Sequence, residues 1–174
     1  GPLDGHIPKV RYGNDRLDFD GTRTAHMFDG TVLVSGLSME RPFGTAPTLS
    51  ADIVLDDMDL QSLTEVFGFG EITGALDGSI RQLRLVDWSA QAFDAEFHTD
   101  PTWKGRQRIS QRAVQDLSSV GGNAGGLGNS LQAQALKLFD DFGYRQIGIS
   151  CRLAEEVCEM DGLSSAANRF IIVQ

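Results

Sequence analysis

Reactive side chains are scarce in this chain of 174 residues. The three histidines, His6, His26 and His98, are scattered and form no H-E-x-x-H pair. There is no G-x-S-x-G elbow and no cysteine beside a candidate base, which leaves no recognisable nucleophile. The glycine-rich stretch GGNAGGLGNS lacks a phosphate-loop lysine, because Asn129 stands where it would be, and it follows a helical pattern rather than a strand. It reads as a linker between helices. No apolar run approaches the ~20 residues of a membrane-spanning helix. Basic residues are in deficit, 15 against 24 acidic, and the net charge of −9 excludes a general nucleic-acid binder. The chain is expected to work without a catalytic residue, a metal or a cofactor.

What it does contain is β-strand pattern. A hydrophobic fraction of 41% with a mean hydropathy of −0.16 fits one folded domain, residues 1–174. Gly1-Pro2 reads as the scar of a cleaved tag, so the chain is expected to be a piece of a longer protein. The Asp-Gly echoes FDGT (19–22 and 28–31), LDGS (76–79) and MDGL (160–163) adjoin strand-like runs and are expected to be turns of a meander over 3–100. In TLSADIVLDDMDL, Leu49, Ala51, Ile53 and Leu55 share one face. In AFDAEFHT, Phe93, Ala95 and Phe97 oppose Asp94, Glu96 and His98. In SIRQLRLVDW the phase slips between Ile80 and Leu83, and a β-bulge near Gln82 would restore one apolar face and bend the strand.

The second half changes period. RQRISQRAVQDLSSV places Ile109, Ala113, Leu117 and Val120 on one helical stripe. NSLQAQALKLFDDFGY does the same with Leu131, Ala135, Leu138 and Phe142 behind an Asn129 or Ser130 cap. Two helices over 104–142 are therefore predicted, followed by β structure over 145–174. The two cysteines lie in IGISCRLAEEVCEMDGL, which reads as a hairpin. A turn centred on Ala154 and Glu155 would set Cys151 opposite Cys158 at a separation suited to a disulfide, and hence to an oxidising compartment. The predicted class is α+β: a curved, mainly antiparallel sheet forming a groove, two amphipathic helices against one end, and a disulfide-pinned C-terminal hairpin.

Few polar groups stand out. His98 with Asp100 could form an acid–base pair but reads better as a strand end, and Asp56, Asp57 and Asp59 lack EF-hand spacing. FGFG at 67–70 reads as a turn with two buried phenylalanines. Lys104, Arg106, Arg108 and Arg112 form a basic cluster in an acidic chain. Arginine forks suit phosphate, and cations in a first helical turn oppose the dipole, so helix stability does not explain them.

From about residue 45 onward, the order and spacing of LDDMDLQSLTEVFGFGEITGALDGSIRQLRLVDW, FDAEFHTD, RISQRAV, FDDFGY, CRLAEEVCEMDGL and RFIIVQ resemble the C-terminal region of AsmA-like envelope proteins of Gram-negative bacteria, the YdbH-type branch. The resemblance implies a periplasmic β-groove, anchored at the inner membrane elsewhere in the full protein, along which phospholipid acyl chains pass toward the outer membrane. Leu49, Ile53, Leu55, Ile80, Leu83, Leu85, Phe93 and Phe97 are then the candidates to line the groove. Lys104, Arg106, Arg108 and Arg112 are candidates to meet headgroups or an outer-membrane or periplasmic protein. The alternative is a closed docking module, its apolar face covered by the helices of 106–142, that binds an envelope protein and no lipid.

Overall fold

The computed structural model of the chain describes residues 9–120, 141–162 and 172–173, with 117–120 and 172–173 described by backbone alone. Nine strands make the main run: β1 (Val10–Gly13), β2 (Arg16–Phe19), β3 (Arg23–Met27), β4 (Gly30–Glu40), β5 (Thr48–Asp59), β7 (Ala75–Val86), β8 (Ser89–Thr99), β11 (Gln146–Ala154) and β12 (Val157–Gly162). They form an open antiparallel sheet in the order β1-β2-β4-β5-β7-β8-β11-β12. β3 lies beside the first half of β4, and β13 (Ile172–Val173) beside the start of β11. A smaller sheet, β10-β9-β6, is built from β10 (Asp141–Gly143), β9 (Arg108–Ser110) and β6 (Ile72–Thr73).

Consecutive strands pair through tight turns. At Asn14-Asp15, Phe28-Asp29, Asp87-Trp88 and Glu155-Glu156, both turn residues have positive φ. That is the primed geometry whose twist matches right-handed strands. None of these eight positions is glycine, so pairing and packing of the flanking strands must hold the turns.

The sheet bends at irregularities with a common construction. Gly36, Asp57 and Gln82 each have a left-handed backbone where the ladder slips. At Gln82 two residues of β7 oppose Asp52 alone, as Ala51 pairs Leu83 and Ile53 pairs Ile80. The bulge expected near Gln82 is therefore present, and it returns Leu83 and Leu85 to the face of Ile80.

The core sits at one end of the sheet. Leu60, Ile72, Ile109, Ala113, Tyr144 and Ile147 are buried together, with Phe69, Leu76, Val114 and Phe142 packed around them. Two short helices close it: α1 (Leu60–Phe67) and α2 (Gln111–Val120). Asp59 caps α1, accepting from the Ser62 backbone N–H at 2.8 Å, and Gly68 ends it in the left-handed region. Tyr144 donates its hydroxyl to the Thr73 carbonyl at 2.7 Å. Any side chain at Gly74 would strike that hydroxyl.

Several expectations are corrected here. The residues of α1 fall within the stretch expected to be meander, because an eight-residue helix spans little more than two turns, too few for its apolar stripe to compete with the flanking strand pattern. Ile109 does not begin a helix. It lies in β9, and Ser110 then caps α2 by accepting from Ala113 N–H at 3.2 Å. Phe142 is likewise on a strand, β10, paired with Ile109. The remainder of the helix predicted from Asn129, and the side chains of Leu117 and Val120, fall outside the described residues. Phe67 is 74% exposed, and only Phe69 of the FGFG pair packs on the core. Two Asp-Gly echoes are not turns: Asp77-Gly78 and Asp161-Gly162 lie inside β7 and β12.

The late hairpin turns on Glu155-Glu156, one residue beyond the expected centre, so Cys151 lies opposite Met160 and Cys158 opposite Leu153. The Cys151–Cys158 disulfide forms nonetheless, with the Cα atoms 5.7 Å apart. Moving a turn centre by one residue shifts each pairing by two, which leaves every side chain on its original face. The bond belongs to an oxidising, extracytoplasmic compartment. Among the described residues no helix is long and apolar enough to cross a membrane.

Candidate functional site

The register assembles one apolar face across the whole sheet. Val34 opposes Ile53, Ile53 opposes Ile80, Ile80 opposes Ala95, Ala95 opposes Cys151, and Cys151 opposes Met160. Beside this row runs another: Ala25, Val32, Leu55, Gly78, Phe97, Ile149 and Gly162. Toward the uncapped end, Tyr12, Leu17, Met39, Leu49 and Leu85 continue it, and Phe93 faces Leu153 and through it Cys158. The eight groove candidates therefore share one face. Gly78 serves the packing of this face, because a Cβ there would sit 2.5 Å from the Phe97 ring.

Apart from Ala95 and, on the same face, Ala51, which are buried, these residues are not the core. Leu49, Ile53, Leu55, Ile80, Leu83, Leu85, Phe93 and Phe97 are all half-buried, whereas Ile109 and Ala113 at the capped end are 1% and 0% exposed. Of the two helices expected over 104–142, the first is present as α2 and packs at one end, beside the unexpected α1, and among the described residues neither α1 nor α2 contributes to a cluster over the rows. A bilayer's hydrocarbon core is ~30 Å thick, so one leaflet's chains reach ~15 Å. At ~4.8 Å per strand, a row crossing six strands spans ~24 Å.

The opposite face is charged. Arg81, Asp94, Arg152 and Glu159 alternate in sign across four adjacent strands, and Asp94 Oδ2 lies 3.5 Å from Arg81 and 3.4 Å from Arg152. A cleft of about 530 Å³ on this side includes Arg81, Glu96, His98 and Asp161 in its lining. Asp100 lies outside that lining. Its carboxylate accepts from the Thr102 N–H and hydroxyl, both at 2.7 Å, and the backbone bond foremost holds it below the ordinary carboxylate pKa. His98 and Asp100 thus do not converge on one site. The neighbouring Asp57 moves the other way: repulsion from Asp56, then from Asp77, raises it. Asp59 is committed to the α1 cap.

The basic cluster does not gather on one helix. Lys104 and Arg106 are exposed in the loop before β9, and Arg108 is paired with Asp141. Arg112 alone is on α2, 3.8 Å from Asp116 and donating to the Gly68 carbonyl at 3.0 Å. The helix dipole therefore does not explain three of the four, because they precede the helix.

Sequence reasoning missed the β4 contribution, Val32, Val34 and Met39. In TVLVSGLSM both faces carry apolar residues and the phase slips at Ser35-Gly36, so no alternation names the face until β5 is aligned beside it. Comparisons with family models, curated proteins and solved structures return no match for this chain.

Proposed function

We propose that this chain is the C-terminal domain of an AsmA-like periplasmic protein, and that its open apolar face carries phospholipid acyl chains between the inner and outer membranes. One observation carries the reading: the apolar row from Val34 to Met160 crosses six strands without a charged residue, while the reverse face of β7, β8 and β11 carries the ion pairs of Asp94 with Arg81 and Arg152. A sheet with one such face requires a cover, and an exposed apolar patch of several hundred Å² is unusual in a monomer. An acyl chain is a fitting cover, since each methylene buried contributes ~0.8 kcal/mol. The disulfide agrees with the periplasm, and the order of motifs from residue 45 onward agrees with the family.

Photo-crosslinking in the intact envelope tests this. A photoreactive residue at Ile53 or Phe93 is expected to capture lipid, and one at Asp94, on the charged face, is not. Protein adducts alone at 53 and 93 would instead support a docking module whose face is closed by a partner.

A further inference from the structure

The long row does not begin with an apolar residue. It begins with Arg23, which lies opposite Val34 on the edge strand β3. β2 and β3 follow one another along the same side of β4, and the irregularity between Ser35 and Ser38 falls at their junction. The Arg23 guanidinium is thereby laid over the Phe19 ring, 5.2 Å from its centroid, within cation–π range. Stacking uses the flat side of the guanidinium and none of its N–H donors. The Arg23 Nη2 is enclosed and has no hydrogen-bond partner among the described residues.

Carboxylates are plentiful in this chain, yet among the described residues none pairs with Arg23. Arg16, Arg81 and Arg152, which belong to the same sheet, all reach a carboxylate. Enclosed charged donors are nearly always satisfied, and leaving one unsatisfied is costly. The apolar face gains nothing from such a group, whereas an anionic oxygen beside the row would complete it once the side chain turns Nη2 outward.

We propose that Arg23 is the headgroup site of the apolar face, its guanidinium taking the phosphate of a diacyl phospholipid whose chains lie along the row from Val34 toward Met160. This rests on the lipid-carrying reading above. The planar fork matches phosphate bidentately, and the Phe19 ring beside it keeps the side chain at the rim. The edge position leaves the headgroup toward water while the chains run inward over Ile53 and Ile80.

The test compares two lipids of identical chains, dioleoyl phosphatidylglycerol and dioleoylglycerol, which lacks the phosphate. Each is offered to the protein in non-ionic detergent micelles, and lipid retained through gel filtration is counted by mass spectrometry. The expected result is a preference of about tenfold for the phospholipid, the size of one charge-assisted hydrogen bond. Arg23→Gln should bring the two lipids to parity with dioleoylglycerol retention unchanged, and Arg23→Lys should fall between. Equal retention of both lipids by the unaltered chain overturns the headgroup site and leaves the lipid-carrying face standing, without any need for the variants to fold. A folded Arg23→Gln protein that keeps the preference does the same. Retention of neither lipid overturns the site and the lipid-carrying reading together.

Discussion

Asp52 accepts the backbone N–H of Gln82 at 2.8 Å across the β5–β7 boundary, holding the bulge that bends the sheet. Its other carboxylate oxygen lies 3.4 Å from the Cβ position of Gly36, on the strand to its other side. One side chain thus stands between the irregularities of both neighbouring strands. Asp77 repeats the device, accepting from Asp57 N–H at 2.9 Å. Asp52→Ala is expected to lower stability by about 1–3 kcal/mol, the cost of losing a hydrogen bond to a charged acceptor and leaving its donor bare. Gln82→Gly should raise it by about 1 kcal/mol, because the left-handed backbone no longer carries a Cβ. Urea unfolding midpoints of the two variants check both signs, and equal midpoints would show that the bulge needs neither.

The hairpin tips give a second stability prediction. Asp87 and Trp88 both have positive φ, and Trp88 is 67% exposed, so its ring contributes little packing at the turn. Replacing the pair by Asn-Gly, the preferred residues of this turn, is expected to raise the thermal midpoint, by about 1–2 kcal/mol of stability. A lower midpoint would mean that the indole packs on the sheet more than its exposure implies.

The disulfide closes a short loop, its cysteines seven residues apart in sequence. Loop-closure entropy sets its contribution at about 2–3 kcal/mol. Reduction, or Cys151→Ser with Cys158→Ser, should lower the urea midpoint by that amount and leave the rest of the sheet folded, because the core lies at the opposite end of β11, around Ile147. Complete unfolding on reduction would contradict this.

Burial pushes the Tyr144 phenol up to about 12 from its ordinary 10. The folded state therefore holds this proton more tightly than the unfolded chain does. Its stabilising effect is fully present below pH 10 and is lost as pH rises from 10 toward 12. Urea unfolding across that range should show a falling midpoint, and Tyr144→Phe should remove that fall. The same variant should cost about 1 kcal/mol at neutral pH for the hydrogen bond to Thr73.

Much of the face was legible in the chain. Alternation in AFDAEFHT fixed Phe93, Ala95 and Phe97 against Asp94 and Glu96, and the slipped phase after Ile80 named the bulge at Gln82. These are period-two signals confined to one strand, and a half-buried strand writes them directly into its residues. The cysteines were paired correctly from a turn centred one residue early, because side-chain faces survive a shift of two. Elements whose identity depends on distant partners were not legible. Ile109 fits a helical stripe as well as a strand, and it becomes a strand because Ile72 and Phe142 offer it two edges to pair with.

The chain by itself thus determined an antiparallel, bulged, two-faced sheet and the bond that pins its last hairpin. Only the tertiary structure decided that the closed core lies at one end, that Val32, Val34 and Met39 extend the apolar face, and that Arg23 stands at its rim with Nη2 unbonded among the described residues. The physical reason is one of range. Alternation, capping and turn chemistry act between neighbours, whereas burial and pairing depend on which strand lies ~4.8 Å away, and at Ile72–Ile109 and Ala95–Cys151 that strand is dozens of residues distant in the sequence.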